Sequence, residues 1–166
     1  GTTASSDNSS SNSGAAYVFK RTGNDWAQEA YIKTPNPGAV DFFGFSVSIS
    51  DDTIVAGAYN EDSNQTTITN GTTASSNNSF SNSGAAYVFK RTGSVWAQEA
   101  YLKAPNAGGS DQFGYSVSID VNTIVVGAHY EDSNQTTITN GTTASTNNST
   151  GNSGAAYVFK RAGSTW

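Results

Sequence analysis

Apolar and polar residues alternate along four short stretches that recur down the chain. The clearest is FGFSVSIS (43–50), where Phe43, Phe45, Val47 and Ile49 alternate with Gly44, Ser46, Ser48 and Ser50; FGYSVSID (113–120) repeats it. A period of two places successive side chains on opposite faces of an extended chain, so the pattern predicts a half-buried strand. AAYVFKR occurs at 15–21, 85–91 and 155–161, with Tyr17 and Phe19 on one side and Val18 on the other. WAQEAYIK (26–33) and WAQEAYLK (96–103) put Trp26, Ala30 and Ile32 on one expected face, opposite Glu29, Tyr31 and Lys33. TIVAGA (53–58) and TIVVGA (123–128) are short, nearly continuous apolar runs, the pattern of a strand covered on both sides.

Turn residues separate these runs. Arg21-Thr22-Gly23 and Asp51-Asp52 have hairpin spacing, and Pro35-Asn36-Pro37-Gly38 breaks the chain after the second run. The stretch from 60 to 84 is long, polar and without sustained periodicity. It is expected to form a loop or extended hairpin arm that projects from the unit, with a disordered tip.

The segment SGAAYVFKR begins at Ser13, Ser83 and Ser153, which sets a period of 70 residues. Repeat one is 1–70, repeat two is 71–140, and 141–166 opens a third; 53 of 70 positions are identical between the first two. Trp166 aligns with Trp26 and Trp96, which open a strand in the other copies, so the chain is expected to be a piece of a longer array. The predicted fold is all-β: tandem four-stranded antiparallel units, about 2.4 of them, resembling propeller blades, with polar arms at 1–14, 60–84 and 130–154. A linear stack or a sandwich is the competing architecture.

Composition narrows the function. Ser, Thr, Asn and Gly make up 78 of 166 residues. Short polar side chains bond locally to the backbone and favour turns, which excludes a predominantly helical protein. No run approaches the ~18 apolar residues of a membrane helix. The net charge of -5, with 8 Lys and Arg, argues against nucleic acid or an anionic membrane as partner. There is no cysteine, hence no disulfide and no thiolate metal site.

Candidate chemistry is sparse. His129 is the single histidine, and Tyr59 stands in its place in repeat one. No nucleophile elbow, zinc-protease motif or phosphate loop is present, and the expectation is a protein without catalytic activity. Two carboxylate pairs could serve a carbohydrate-active enzyme, which is the second alternative. Asp51-Asp52 becomes Val121-Asn122 in the next copy, as a turn allows, whereas Glu61-Asp62 recurs as Glu131-Asp132. The recurring acids are turn formers or oxygen ligands for calcium, the candidate set being Asn60, Glu61, Asp62, Asn64, Glu131, Asp132 and Asn134. Trp26, Trp96 and Trp166 form either one core anchor per unit or a sugar-stacking ladder. Lys20-Arg21 and its copies are too sparse for a polyanion. Glycosylation sequons occur at Asn8, Asn64, Asn70, Asn77, Asn134, Asn140, Asn147 and Asn148, all in the polar arms.

Phe43-Gly44 and Phe113-Gly114, each followed by the apolar run and then by AAYVF, resemble the FG-GAP repeat known from integrin-type β-propellers and bacterial surface proteins. The GAP element is matched by Gly57-Ala58 and Gly127-Ala128, with Tyr59 and His129 in place of the proline. The resemblance implies four-stranded blades around an axis, an extracellular or cell-surface location, and adhesion or ligand binding. The D-x-D-x-D-G calcium loop of integrin-type propellers is absent. The expected function is therefore an adhesive or structural repeat protein that associates with copies of itself, including as a filament, with glycans or surface ligands as further partners. A calcium-dependent ligand-binding propeller is the first alternative.

Overall fold

The structure, a computed structural model, describes residues 3–166. Ten strands make up its regular structure: β1 (Ala16–Thr22), β2 (Asp25–Ile32), β3 (Ser46–Ser50), β4 (Thr53–Ala58), β5 (Thr69–Asn70), β6 (Ala85–Thr92), β7 (Val95–Leu102), β8 (Phe113–Asp120), β9 (Thr123–Ala128) and β10 (Ala155–Lys160). There is no helix among the described residues. The fold is all-β, as the alternation predicts, and TIVAGA and TIVVGA coincide with β4 and β9.

The strands form three antiparallel sheets with orders β1-β2, β3-β4-β6-β7-β5 and β8-β9-β10. The central sheet takes β3 and β4 from the first sequence repeat and β6 and β7 from the second. The sheets are thus offset from the 70-residue frame: β4 leaves its own repeat and pairs along its length with β6 of the next, from Thr53↔Lys90 to Ala58↔Ala85. The cause is the hairpin turns. Asp51, at φ 50°, closes β3 onto β4, and Gly93, at φ 63°, closes β6 onto β7, while the long arm between β4 and β6 carries the chain back to the same sheet edge.

Both faces of the central sheet are covered. Toward the first sheet, Ile54, Ala56, Tyr87 and Phe89 pack with Val18, Ala30, Ile32 and Phe43. Toward the third, Val55, Val88, Ala100 and Leu102 pack with Phe113, Ile119, Ile124 and Val126. This two-sided cover is why β4 is buried at every position and reads in sequence as a continuous apolar run. Each fully buried Val, Ile, Leu or Phe contributes about 1.5–3 kcal/mol, so the stack is held mainly by contacts between sheets.

Three expectations are corrected. Trp26 does not share a face with Ala30 and Ile32. A bulge shifts the register between Val18↔Ala30 and Phe19↔Gln28, which reverses the alternation and leaves Trp26 67% exposed on the face of Phe19. Phe43 is buried, but Phe45, Val47 and Ile49 are each more than half exposed: Phe45 touches the Tyr59 and Tyr115 rings, and Val47 and Ile49 sit on the face of β3 opposite the serines that bond to the next sheet, whereas the matching Ile119 is buried in the core against the central sheet. The polar arm of the central sheet does not project. The arm from 60 to 84 lies along the outer edge of the central sheet, where β5 pairs with β7 (Thr69↔Tyr101, Asn70↔Ala100) and Gln98 donates to the carbonyls of Gly71 and Thr73. The edge strand thereby gains a partner and is shielded from further pairing.

Candidate functional site: the junctions between units

The sequence motif sits where adjacent sheets touch. Phe43 and Phe113 are buried at the junctions, edge-on to Tyr87 and Phe89 and to Tyr157 and Phe159 respectively. Gly114 adopts φ 90°, and a β-carbon there would run into the carbonyl of Ala85. One on Gly57 would run into the carbonyl of Gly114 and lie 2.5 Å from Ser46 Oγ. Gly57 and Gly114 are thus points where two backbones come closer than any side chain permits. Ser46 Oγ also donates to the Gly114 carbonyl at 2.8 Å, and the hydroxyls of Ser48 and Ser50 accept from the backbone N–H of Ile119 and Val121. The polar half of the alternating strand is therefore consumed in joining β3 to β8 rather than in facing solvent. Ala58 and Ala128, beside the glycines, are buried.

A second tie joins the outer strands. Glu29 of β2 accepts Arg91 Nη1 at 2.9 Å and Trp96 Nε1 at 3.1 Å, both from the next sheet. Glu99 repeats this with Arg161 at 3.0 Å and Trp166 Nε1 at 2.9 Å. The indole N–H, followed by the neighbouring guanidinium, holds the Glu29 carboxyl below its ordinary range. Trp96 and Trp166 are brackets between units, not anchors inside one, whereas Trp26 is exposed. Arg91 and Arg161 also lie 5.6 and 5.2 Å from the centres of the Trp96 and Trp166 rings.

The third tie is buried. Lys103 is 1% exposed and Glu61 2% exposed, with Nζ 3.1 Å from Glu61 Oε2. Lys103 also donates to Ser83 Oγ at 2.7 Å and to the Gly84 carbonyl at 2.6 Å. Glu61 Oε2 accepts the Ser63 N–H at 3.1 Å, and Oε1 accepts Asn36 Nδ2 at 3.3 Å. Asn36 Nδ2 reaches the Ser75 carbonyl at 2.7 Å, while its Oδ1 accepts the Tyr87 hydroxyl at 2.8 Å. Burial pulls the Lys103 ammonium below its ordinary range, with Glu61 opposing the shift.

The neighbouring copies are halves of this node. Asn106, Glu131, Ser133 and Tyr157 reproduce the acceptor side, with Asn106 Nδ2 2.8 Å from Glu131 Oε1 and the Tyr157 hydroxyl 2.7 Å from Asn106 Oδ1. No lysine reaches Glu131 among the described residues. Lys33 has the donor side, bonded to Ser13 Oγ at 2.7 Å and to the Gly14 carbonyl, with no carboxylate among the described residues.

The residues proposed for calcium are distributed among these roles. Glu61 and Glu131 are buried and bonded as above. Asp62 and Asp132 accept the backbone N–H of Asn82 and Asn152, each at 2.7 Å. Asn60 Oδ1 lies 3.4 Å from Gln112 Nε2, and Asn64 and Asn134 are exposed. Among the described residues no three acidic or histidine side chains gather around a common point. All eight sequon asparagines are exposed, Asn70 within β5, where its Oδ1 accepts the Trp166 N–H at 3.0 Å. Asp51 forms the β3–β4 turn, while Asp52 accepts Arg91 Nε at 2.7 Å and the equivalent Asn122 accepts Arg161 Nε at 2.9 Å. His129 packs against Tyr115 and Tyr130, each ring 4.0 Å away. An open cleft beside β2 and β7, lined by Tyr31, Thr34, Pro35, Val95 and Gln98, carries no carboxylate.

Lys103, Asn36 and Asp41 were not singled out from the sequence, although a signal exists. Between residues 32 and 42 the two copies differ at six of eleven positions, and those retained include Lys33, Asn36 and Asp41.

Comparison with protein families matches the FG-GAP repeat twice, over residues 26–89 and 96–159. No match is found among curated proteins. Each matched segment runs from the outer strand of one sheet to the AAYVF strand of the next, and so carries one FG pair and one GA pair, while partners across the junction come from residues outside it. With both copies matched and their signature residues at the sheet contacts, the chain belongs to the FG-GAP repeat family.

Proposed function

We propose that the chain is a non-enzymatic extracellular or cell-surface repeat protein with an adhesive or structural role, whose units associate with further units of the same kind. One observation carries this reading: the surfaces left open are copies of surfaces that are buried elsewhere in the molecule. Tyr17 and Phe19 are 52% and 55% exposed, whereas their equivalents Tyr87 and Phe89 are 0% and 4% exposed. Val158 is 69% exposed, whereas its equivalent Val88 is fully buried. Among the described residues, Lys33 without a carboxylate and Glu131 without a lysine match in the same sense.

A unit supplied by the same array or by a second copy fits these surfaces with the register already used inside the chain. Head-to-tail contacts of this kind close a ring when the rotation per step allows, and otherwise extend a filament. The exposed sequons and Ser/Thr-rich arms lie along the outer edge, where glycans could be carried without blocking the stack.

Light scattering and electron microscopy test the proposal. Concentration-dependent rings or filaments are the expected result, and a monodisperse monomer at every concentration would remove it. The alternative, a calcium-dependent propeller, requires calcium to displace Lys103 from Glu61 or to recruit Asn60, Asp62 and Asn64. Calorimetric titration separates the two: heat saturating at millimolar calcium favours the alternative.

A further inference from the structure

Lys103, Glu61 and Asn36 form an arrangement that can do more than hold charge. One carboxylate takes the amine on Oε2 and the carboxamide nitrogen on Oε1, while the carboxamide oxygen accepts a phenolic O–H from Tyr87. Those are three of the groups that amide exchange uses: a nucleophilic amine, a shared acid–base group placed at both nitrogens, and a donor at the oxygen that becomes negative. Lys103, Glu61 and Tyr87 are each at most 2% exposed, which keeps water from the amine and the carboxylate, and Asn36 is itself partly buried. Asn36 precedes Pro37, which has no backbone N–H, so the common loss of ammonia by attack of the following amide nitrogen is closed to it.

We propose that Lys103 and Asn36 become joined by an isopeptide bond, formed autocatalytically with Glu61 as proton carrier. The ion pair first passes a proton from Nζ to Glu61, leaving a neutral amine. The Nζ lone pair attacks Asn36 Cγ, and the Tyr87 hydroxyl holds the developing charge on Oδ1. Glu61 delivers its proton to Nδ2 and takes the remaining surplus proton from Nζ. The Cγ–Nδ2 bond breaks, the Cγ–Nζ bond stays, and ammonia leaves. No oxidant, metal or nucleotide is required. Burial, which disfavours the ammonium of Lys103, assists the first step.

The link would tie the β2–β3 connection to the residue after β7, across the junction between the first and central sheets. It would thus make permanent a contact that otherwise depends on packing, a property suited to a protein under load. Asn106, with Glu131 and Tyr157 but no lysine among the described residues, is an internal control.

Mass spectrometry of the full chain from a host that adds no glycans tests the proposal. The expected result is an intact mass short of one ammonia and, after proteolysis, a branched peptide joining Asn36 to Lys103. Asn106 should stay a free carboxamide. Glu61→Gln should slow formation by roughly 10²–10⁴-fold, the usual worth of a positioned acid–base group. A full-length mass with Asn36 and Lys103 in separate linear peptides would overturn it. So would a deficit of one ammonia located as a succinimide at Asn70-Gly71 or Asn140-Gly141, which has the same mass and joins nothing. Because the unmodified chain alone gives a decisive reading, the outcome stands even if Glu61→Gln fails to fold.

Discussion

Trp96 donates its indole N–H to Glu29 of the preceding sheet at 3.1 Å, whereas Trp26, the same residue one repeat earlier, is 67% exposed. Both tryptophans are followed by AQEAY and pair with the equivalent arginine of the preceding strand, so the difference lies in the neighbouring sheet.

Trp96→Phe keeps an aromatic ring, though a smaller one, and removes the donor to Glu29, and should lower the melting temperature by a few degrees. Trp26→Phe should leave it unchanged. Thermal unfolding of the two variants side by side checks this, and equal effects would contradict the bracket.

Gly57→Ala should be more harmful than Gly127→Ala. The first β-carbon meets the Gly114 backbone carbonyl, which cannot move without separating β3 from β8; the second meets only the Ser116 hydroxyl, a side chain that can rotate. The expected losses are about 3 kcal/mol and about 1 kcal/mol, in the range for overpacking a close contact. Urea unfolding of both variants provides the comparison.

Asp41 and Asp111 give the fold an acid-side stabilisation. Each is raised from 3.8 to about 6, first by burial and then by the nearby acids, although each accepts a backbone N–H (Gly38 and Gly108). A carboxyl with a raised folded value stabilises fully below its unfolded value and loses that contribution as pH rises through the folded value. The window is therefore about pH 4 to 6, and the full amplitude about 2–3 kcal/mol per group. Asp41→Asn retains an acceptor for Gly38 without ionising. Relative to the parent it should be stabilised at pH 7 and equal at pH 4, and a constant difference across that range would refute the assignment.

In a chain where the Lys103–Asn36 link has not formed, Lys103→Met should cost about 3–5 kcal/mol, because it strands a buried carboxylate. Lys33→Met, where no carboxylate is left behind among the described residues, should cost far less. Chemical denaturation distinguishes them, and equal losses would show that the pairing with Glu61 is not what matters.

Strand identity was legible wherever the chain chemistry is local. The apolar run of β4, the hairpin at Asp51-Asp52 and the 70-residue period follow from residue type and spacing, and the FG and GA pairs marked the family, with only glycine tolerating the backbone approaches made at Gly57 and Gly114. Three features were decided by tertiary structure. The bulge opposite Val18 reversed the face of Trp26, since one extra residue changes the parity of every side chain beyond it. The polar arm became an edge strand because β7 offered unpaired backbone groups that the arm could satisfy. The assembly of Asn36, Glu61, Tyr87 and Lys103 joins residues up to 67 positions apart, drawn from two sequence repeats and brought together only when β4 pairs with β6. Periodicity reports which side of a strand is covered. It carries no information about which distant polar groups the covering sheet delivers, and that is where the chemistry of this molecule resides.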